Sequence, residues 1–577
     1  MTSFRIERLP FSTATVRVLS GLDRRFVNWP VVYALDDDKR IYIGESINVV
    51  QRMRQHLETP SKGDLRQLRV VLDDEFNKSA ALDLESYLIG LLAGDGRYKV
   101  LNGNAGITDA DYFRREQYRK TFSQIFDELL AEGVFTRNIR EIQNSDLFKL
   151  SPFKALTTDQ AVAVEDILSG LFEDLSTGSR STVVIQGDPG TGKTILGIYL
   201  LKLLMDIKST LPDDPIDADS MFSEFFVPEN VELISDFKVG LVVPQGSLRK
   251  SVAGVFTKTA GLNKKMVLSP FDVGTSDTHF DLLIVDETQR LTQRANQSAG
   301  PLNKLFSQIN QRLFGHDGLE LTQLDWIRQQ SDHQIFLLDA AQTVRPADLS
   351  RRQTIQLAEE ANSRHRKYPL TTQMRVKAGD DFVTYVRGML SDNPPEPHDF
   401  GPYDFRMFDD IRALEAAIRQ RNADAGLARM VAGYAWPWRS KKDPNAFDIE
   451  LEGHGMRWNR TLRDWISSPT SIDEVGSIHT VQGYDLNYAG VIIGRDLRYD
   501  ASIGHLSADL DNYFDAKGKE NNRARGITYT PDDILKLIEN IYAVLLTRGI
   551  RGTYVYVVDP VLREYLRPFI GSSESSA

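Results

Sequence analysis

The chain has no cysteine in 577 residues, which excludes disulfides and thiolate metal sites and fits a reducing compartment. No apolar run approaches the roughly 18 residues needed to span a bilayer. The opening MTSFRIERLPFSTATV lacks the apolar core of a secretory signal, so a cytoplasmic protein with no membrane partner is the expectation. No internal repeat is present, and no single sign of charge dominates. The net charge is −11; residues 1–120 carry 19 Lys and Arg against 17 Asp and Glu, the remainder 50 against 63. That balance excludes a uniformly basic coat, and any nucleic-acid contact has to be a local groove.

What is present is an ordinary globular composition, 41% hydrophobic and 26% charged, in a chain too long for one core. A first unit closes near KVLNGNAG, at about residue 110. A helical connector is expected over 111–150, with Phe113, Tyr118, Phe122 and Phe126 at near-helical spacing. From residue 151 onward, STVVIQG, KVGLVVPQ, FDLLIVDE, HQIFLLDA and AGVIIGRD are short Val/Ile/Leu runs alternating with helical stretches. Parallel strands covered on both faces read this way. The fold class is therefore α/β: a small α/β domain, then parallel-sheet lobes over 151–350 and 351–570, with a disordered tail at 571–577. Nine acidic residues and one lysine between Asp206 and Asp236 predict a surface insertion.

GDPGTGKT (187–194) follows the strand STVVIQ and opens the helical run ILGIYLLKLLMD. Gly187, Gly190 and Gly192 let backbone N–H groups curl around phosphates at a helix N-terminus. Lys193 would reach the β/γ-phosphates and Thr194 would hold Mg²⁺. The strand FDLLIVDE supplies the acidic partners: Asp286 for the Mg²⁺ shell and Glu287 to polarise the attacking water.

Other segments resemble helicase motifs. Leu156-Thr157 with Gln160 is similar to the adenine-reading segment of superfamily 1, and IFLLDAAQTVRP to the third motif, where Gln342 would sense the γ-phosphate. LTTQMR and LLTRGIRG offer Arg375 and Arg548 as charge-stabilising arginines. SIHTVQGYDLNYAGVIIG resembles the fifth motif, with Gln482 contacting nucleic acid. With PQGSLRKSV, VDETQRL, AWPWRSKK and RWN, residues 150–560 resemble the P-loop ATPase-helicase family related to the Schlafen helicase-like domain. The resemblance implies two RecA-like lobes binding ATP and Mg²⁺, and it places Gln245 and Ser247 on the phosphodiester backbone. YDLN and TRGIRG depart from the usual fifth and sixth motifs, which favours nucleotide hydrolysis over processive unwinding. Trp436 and Trp438, interleaved with Arg439, Lys441 and Lys442, form either a stacking platform for single strands or one core-facing side of a strand.

In the first unit, VVY (31–33), eight residues and YIG (42–44) resemble the GIY-YIG nuclease family, VVY standing for GIY. Arg52 and His56 share the face of a following helix, Glu85 lies in SAALDLESYLIGLL, and Asn102 in VLNG. The resemblance implies phosphodiester hydrolysis with one divalent ion. Glu85 would hold Mg²⁺ and Arg52 would neutralise the phosphate. Tyr42 or Tyr33, acidified beside the metal, would activate water, with His56 as a second proton carrier. The whole chain then reads as a GIY-YIG endonuclease fused to a helicase-like ATPase acting on DNA, and such fusions resemble bacterial anti-phage systems. RNA as substrate, or a nucleotide-controlled DNA-binding switch, are the alternatives. A partner protein or homo-oligomer is left open.

Overall fold

The computed structural model describes every residue except 1–3, 104–110, 212–220, 295–296, 298–299, 340–342, 374–375, 377, 380, 462–464, 482–483 and 573–577. Gln342, Arg375 and Gln482 lie outside the described residues, as does most of the tail. The chain divides into two compact units: Met1–Ser179 with Ile195–Phe237 and Lys250–Val267, and Arg180–Thr194 with Lys238–Arg249 and Leu268–Ala577.

The first unit is built on a five-stranded sheet in the order Phe4–Pro10, Gln67–Asp73, Val31–Asp36, Arg40–Ser46, Lys99–Val100. The first three pairings are antiparallel and the last parallel. Side chains alternate across it, as the two-residue strand period requires. Val32 and Ala34 enter one core with Leu84, Leu88, Phe122 and Phe126, while Val31, Tyr33 and Leu35 enter a second with Leu19, Val49 and Met53. The strand Val31–Asp36 is thus buried on both faces.

Helices Thr13–Leu22 and Val49–Glu58 supply the second core, and the helix Lys78–Asp95, capped by the Asn77 side chain, supplies the first. The helix of the expected connector runs Arg115–Ala131 and gives Phe122, Ile125, Phe126 and Leu129 to the same core as residues 4–100. It is part of this domain's interior; Phe113 precedes it and is exposed. The acidic segment is more than a surface insertion, because Phe222 and Phe225 are buried against Tyr199 and Phe172.

The second unit carries two six-stranded sheets. The first orders Lys367–Leu370, Ser181–Gly187, Ser331–Leu338, Phe280–Val285, Val239–Val242 and Val267–Leu268, and the first four neighbouring pairs are parallel. The second orders Val475–Ser477, Ala428–Ala432, Leu486–Ile493, Gly549–Val557, Asp404–Met407 and Gly571–Ser572, parallel throughout. The apolar runs of the sequence are strands of these sheets. Lys367–Leu370 pairs with Val184–Gly187, so the first sheet takes its edge strand from beyond residue 350. The helix Phe382–Met389 packs on the second sheet, its Phe382, Val386 and Met389 sharing a core with Val491, Val555 and Tyr542.

Candidate functional site

Within the first unit, the paired strands put Tyr33 opposite Gly44. The phenol of Tyr33 lies directly over that glycine: a Cβ there would be 2.3 Å from its Oη and 2.4 Å from its Cζ. The glycine of YIG is thus required by the tyrosine of VVY. Tyr33 Oη is 2.8 Å from His56 Nε2, and the Tyr42 ring meets the His56 ring edge-on with centroids 5.1 Å apart. The helix Val49–Glu58, started by the Asn48 side chain, delivers both His56 and Arg52; Arg52 Nη1 donates to Gln55 Oε1 at 3.1 Å, and its charge acts on both tyrosines. Lys62 Nζ stands 3.7 Å from the centre of the Tyr42 ring.

Glu85 is half-buried on the helix Lys78–Asp95 and repels charge on both tyrosines; its neighbour Leu82 is exposed, so the carboxylate sits at a border between core and solvent. Asn102 is buried and spends its whole amide on one residue: Oδ1 accepts from Ile43 N at 3.1 Å and Nδ2 donates to Ile43 O at 2.7 Å. It clamps the YIG strand.

Burial dominates the electrostatics of the site. Burial raises the pKa of Tyr33, helped by Tyr42, and burial likewise raises that of Tyr42, helped by Glu85; the Arg52 guanidinium opposes both shifts without overcoming them. The surroundings alone do not acidify either phenol. Burial, with Lys62 and Arg52, pushes His56 down to about 2, so the imidazole is neutral where it meets Tyr33 Oη.

Within the second unit, the phosphate loop joins the strand Ser181–Gly187 to the helix Lys193–Lys208. Gly190 and Gly192 have φ of 93° and 79°, a left-handed conformation that only glycine adopts without strain. Lys193 Nζ donates to Gly187 O at 2.7 Å and Asp188 O at 2.9 Å, folded over its own loop. Thr194 Oγ1 donates to Asp286 Oδ2 at 2.9 Å, which puts the two candidate Mg²⁺ ligands together. Burial, and then Glu287, raise the Asp286 carboxyl above its ordinary range. Glu287 sits at φ 46°, ψ 47°, a strained conformation for a non-glycine residue, and its carboxylate accepts from Gln289 Nε2 at 2.6 Å. Gln289 Oε1 in turn accepts from Asp339 N at 3.1 Å.

Three residues at this site escaped the motif reading: Gln289, Asp339 and Arg387. Asp339 follows the strand Ser331–Leu338, with Oδ2 3.8 Å from Lys193 Nζ, and an acid ending the strand beside the phosphate-loop strand was its only signal. Arg387, on the helix Phe382–Met389, bonds Asp188 Oδ1 at 2.6 Å and lies 3.7 Å from Asp339 Oδ1; no motif marks it.

Arg548 has a different setting. It is 2% exposed and donates to Tyr484 O at 3.2 Å in the second sheet's core. Gln160, in the first unit, accepts from Thr157 N at 3.1 Å in a capping box that starts its own helix. Gln245 is half-buried and Ser247 buried at the start of the helix Gly246–Lys258. Trp436 and Trp438 follow the strand Ala428–Ala432 instead of lying in it, so a strand's alternation does not apply to them. Both are half-buried: Trp436 packs edge-on to the buried Trp458, and Trp438 faces Lys441.

Among the described residues no group of three or more His, Asp and Glu is placed to hold a metal ion. Magnesium at Glu85 would therefore have fewer than three such protein ligands among the described residues and keep several waters, which is its habit.

Over residues 180–559 the chain matches the Schlafen group 3, DNA/RNA helicase domain. It is 28% identical over 450 residues to the uncharacterised protein YPL245W of Saccharomyces cerevisiae, spanning 72% of this chain and 91% of that protein. It is 23% identical over 164 residues to Replication factor C small subunit 2 of Pyrobaculum islandicum, spanning 28% of this chain and 40% of the relative. A crystal structure of the Pif1 helicase from Bacteroides, in complex with ADP-AlF3 and ssDNA, spans 70% of this chain and 92% of its own at 9% identity, with a TM-score of 0.26. That likeness is too weak to give any residue a role.

Proposed function

The chain belongs to the Schlafen group 3, DNA/RNA helicase family, and from that premise we propose an ATP-driven nucleic-acid-processing enzyme whose first unit is a GIY-YIG-type endonuclease. The observation that carries the nuclease reading is the convergence of Tyr33, Tyr42, His56 and Arg52 around Gly44.

In this reading Arg52 neutralises the phosphodiester, and Glu85 would hold one Mg²⁺, which supplies Lewis-acid neutralisation when bound. Tyr33, in its phenolate form, accepts the proton of the attacking water, with His56 Nε2 2.8 Å from its oxygen and the Arg52 charge offsetting part of the burial that opposes that form. The oxygen attacks phosphorus, and the P–O bond to the leaving sugar oxygen breaks. Asn102 positions the strand and touches no substrate. In the second unit, Lys193 and Thr194 with Asp286 would hold MgATP, and Glu287, oriented by Gln289, would polarise the hydrolytic water.

DNA is the proposed substrate; a setting in anti-phage defence rests on the domain resemblance alone. The test is the full chain on supercoiled DNA with Mg²⁺, with and without ATP. Glu85→Ala should abolish cleavage and spare ATPase activity, and Lys193→Ala should abolish ATP hydrolysis. Cleavage by Glu85→Ala at the wild-type rate would sink the nuclease reading and leave a nucleotide-controlled binding switch. ATPase stimulation by single-stranded RNA but not by matched DNA would reassign the substrate.

A further inference from the structure

The phosphate loop of the second unit already touches an arginine. Arg387 projects from the helix Phe382–Met389, which the second sheet holds firmly: Phe382, Val386 and Met389 are fully buried, and Tyr385 Oη donates to Phe569 O at 2.9 Å. Yet its guanidinium leaves that core and binds the first sheet's loop, 2.6 Å from Asp188 Oδ1 and 3.7 Å from Asp339 Oδ1. Asp188 is the second residue of GDPGTGKT, and Asp339 also neighbours Lys193. Gln373, just past the first sheet's edge strand Lys367–Leu370, also reaches the loop, its Nε2 donating to Pro189 O at 2.7 Å.

Both partners of the ion pair are reachable from solvent, Arg387 at 30% and Asp188 at 47% side-chain exposure. The pair is therefore weak, and exchangeable for a better anion. A triphosphate is that anion: it carries more charge than a carboxylate and matches the planar guanidinium fork in two-point geometry.

We propose that Arg387 is the arginine of the second sheet that contacts the terminal phosphate of bound ATP, and that Asp188 is its resting partner, displaced when nucleotide enters. The inference rests on the phosphate loop being the ATP site. In the resting state Arg387 ties the second sheet to the loop through protein carboxylates. With ATP it ties the same two parts through the γ-phosphate. Hydrolysis, by removing that phosphate, hands Arg387 back to Asp188, which gives the motor a nucleotide-dependent joint. The assignment is additional to the motif reading, whose Arg375 lies outside the described residues and whose Arg548 is buried in the second sheet's core.

The experiment uses the full chain and Arg387→Ala, Arg387→Lys, Asp188→Asn and Lys193→Ala. It measures equilibrium binding of fluorescent ADP and of a fluorescent non-hydrolysable triphosphate, together with kcat and KM for ATP. Arg387→Ala should lower kcat about 100-fold or more and weaken the triphosphate about tenfold, while ADP binding stays within about threefold. Arg387→Lys should fall between, because charge remains but the fork is lost. Asp188→Asn should tighten the triphosphate about two- to fivefold, the worth of an exposed ion pair, and lose that gain in the Arg387→Ala background. Arg387→Ala with near-wild-type kcat and unchanged preference for the triphosphate over ADP overturns the inference. Lys193→Ala separates the two levels. If nucleotide binding is indifferent to Lys193, the ATP-site reading falls and takes Arg387 with it. If binding requires Lys193 and ignores Arg387, only the present inference falls.

Discussion

Gly44→Ala is the sharpest perturbation of the first unit. Gly44 lies in an ordinary extended strand, so alanine costs nothing in backbone conformation, and the whole effect has to come from the side chain opposite. That side chain is Tyr33, 1% exposed, whose Oη and Cζ would be 2.3 and 2.4 Å from the new methyl. The ring has to move by more than an ångström, and it cannot do so and keep the 2.8 Å bond to His56. Overpacking a core costs about 1–3 kcal/mol and losing a buried hydrogen bond about 0.5–1.5 kcal/mol. The expected destabilisation is about 2–4 kcal/mol. Hydrogen exchange read by mass spectrometry on the full chain measures it locally, as faster exchange of amides in the strand Arg40–Ser46. The companion is Tyr33→Ala, on which Gly44→Ala should cost under about 0.5 kcal/mol, because the atoms it strikes are gone. Equal costs of Gly44→Ala in both backgrounds would refute the contact as the cause. The same variant should also lose nuclease activity, since Tyr33 and His56 would part.

The buried His56 makes stability pH-dependent. Its folded pKa, about 2, lies below the unfolded 6.5, so below pH 6.5 the unfolded chain takes up a proton that the folded chain refuses. This contribution is full above 6.5 and falls with pH by about 1.4 kcal/mol per unit; the difference in unfolding free energy between wild type and His56→Asn in metal-free buffer should show that slope. Asp36, raised to about 6 by burial, acts with the opposite sign but is common to both proteins and cancels. Thr194→Val should remove the donor to the buried Asp286 and abolish ATP hydrolysis, with Thr194→Ser restoring it; turnover by the Val variant near wild type would exclude the pair from the Mg²⁺ shell. Trp438→Ala should weaken binding of an oligo(dT) strand by about 1 kcal/mol or more in fluorescence anisotropy. Trp436→Ala, which uncovers Trp458, should show first as a lowered melting temperature. Unchanged binding in both variants would remove the stacking platform.

The sequence by itself determined the parts whose chemistry is local. A phosphate loop needs glycines, a lysine and a hydroxyl in consecutive positions at a strand-to-helix junction, so GDPGTGKT was legible without coordinates. Strands buried on both faces are unbroken apolar runs, and these marked both large sheets. The hairpin VVY–YIG was legible as spacing. Its reason was not, because Gly44 is required only by the ring of Tyr33 lying across it, a contact between strands. The tertiary structure alone decided Arg387, because an arginine 199 positions from Asp188 carries no local signal and its role depends on where its helix docks. It also decided that Arg548 is an interior residue, that Asn102 serves the backbone of Ile43, and that burial raises the pKa of both tyrosines. Those outcomes depend on burial and on distant partners. Burial is a property of the packed chain, to which a residue's neighbours in sequence contribute little.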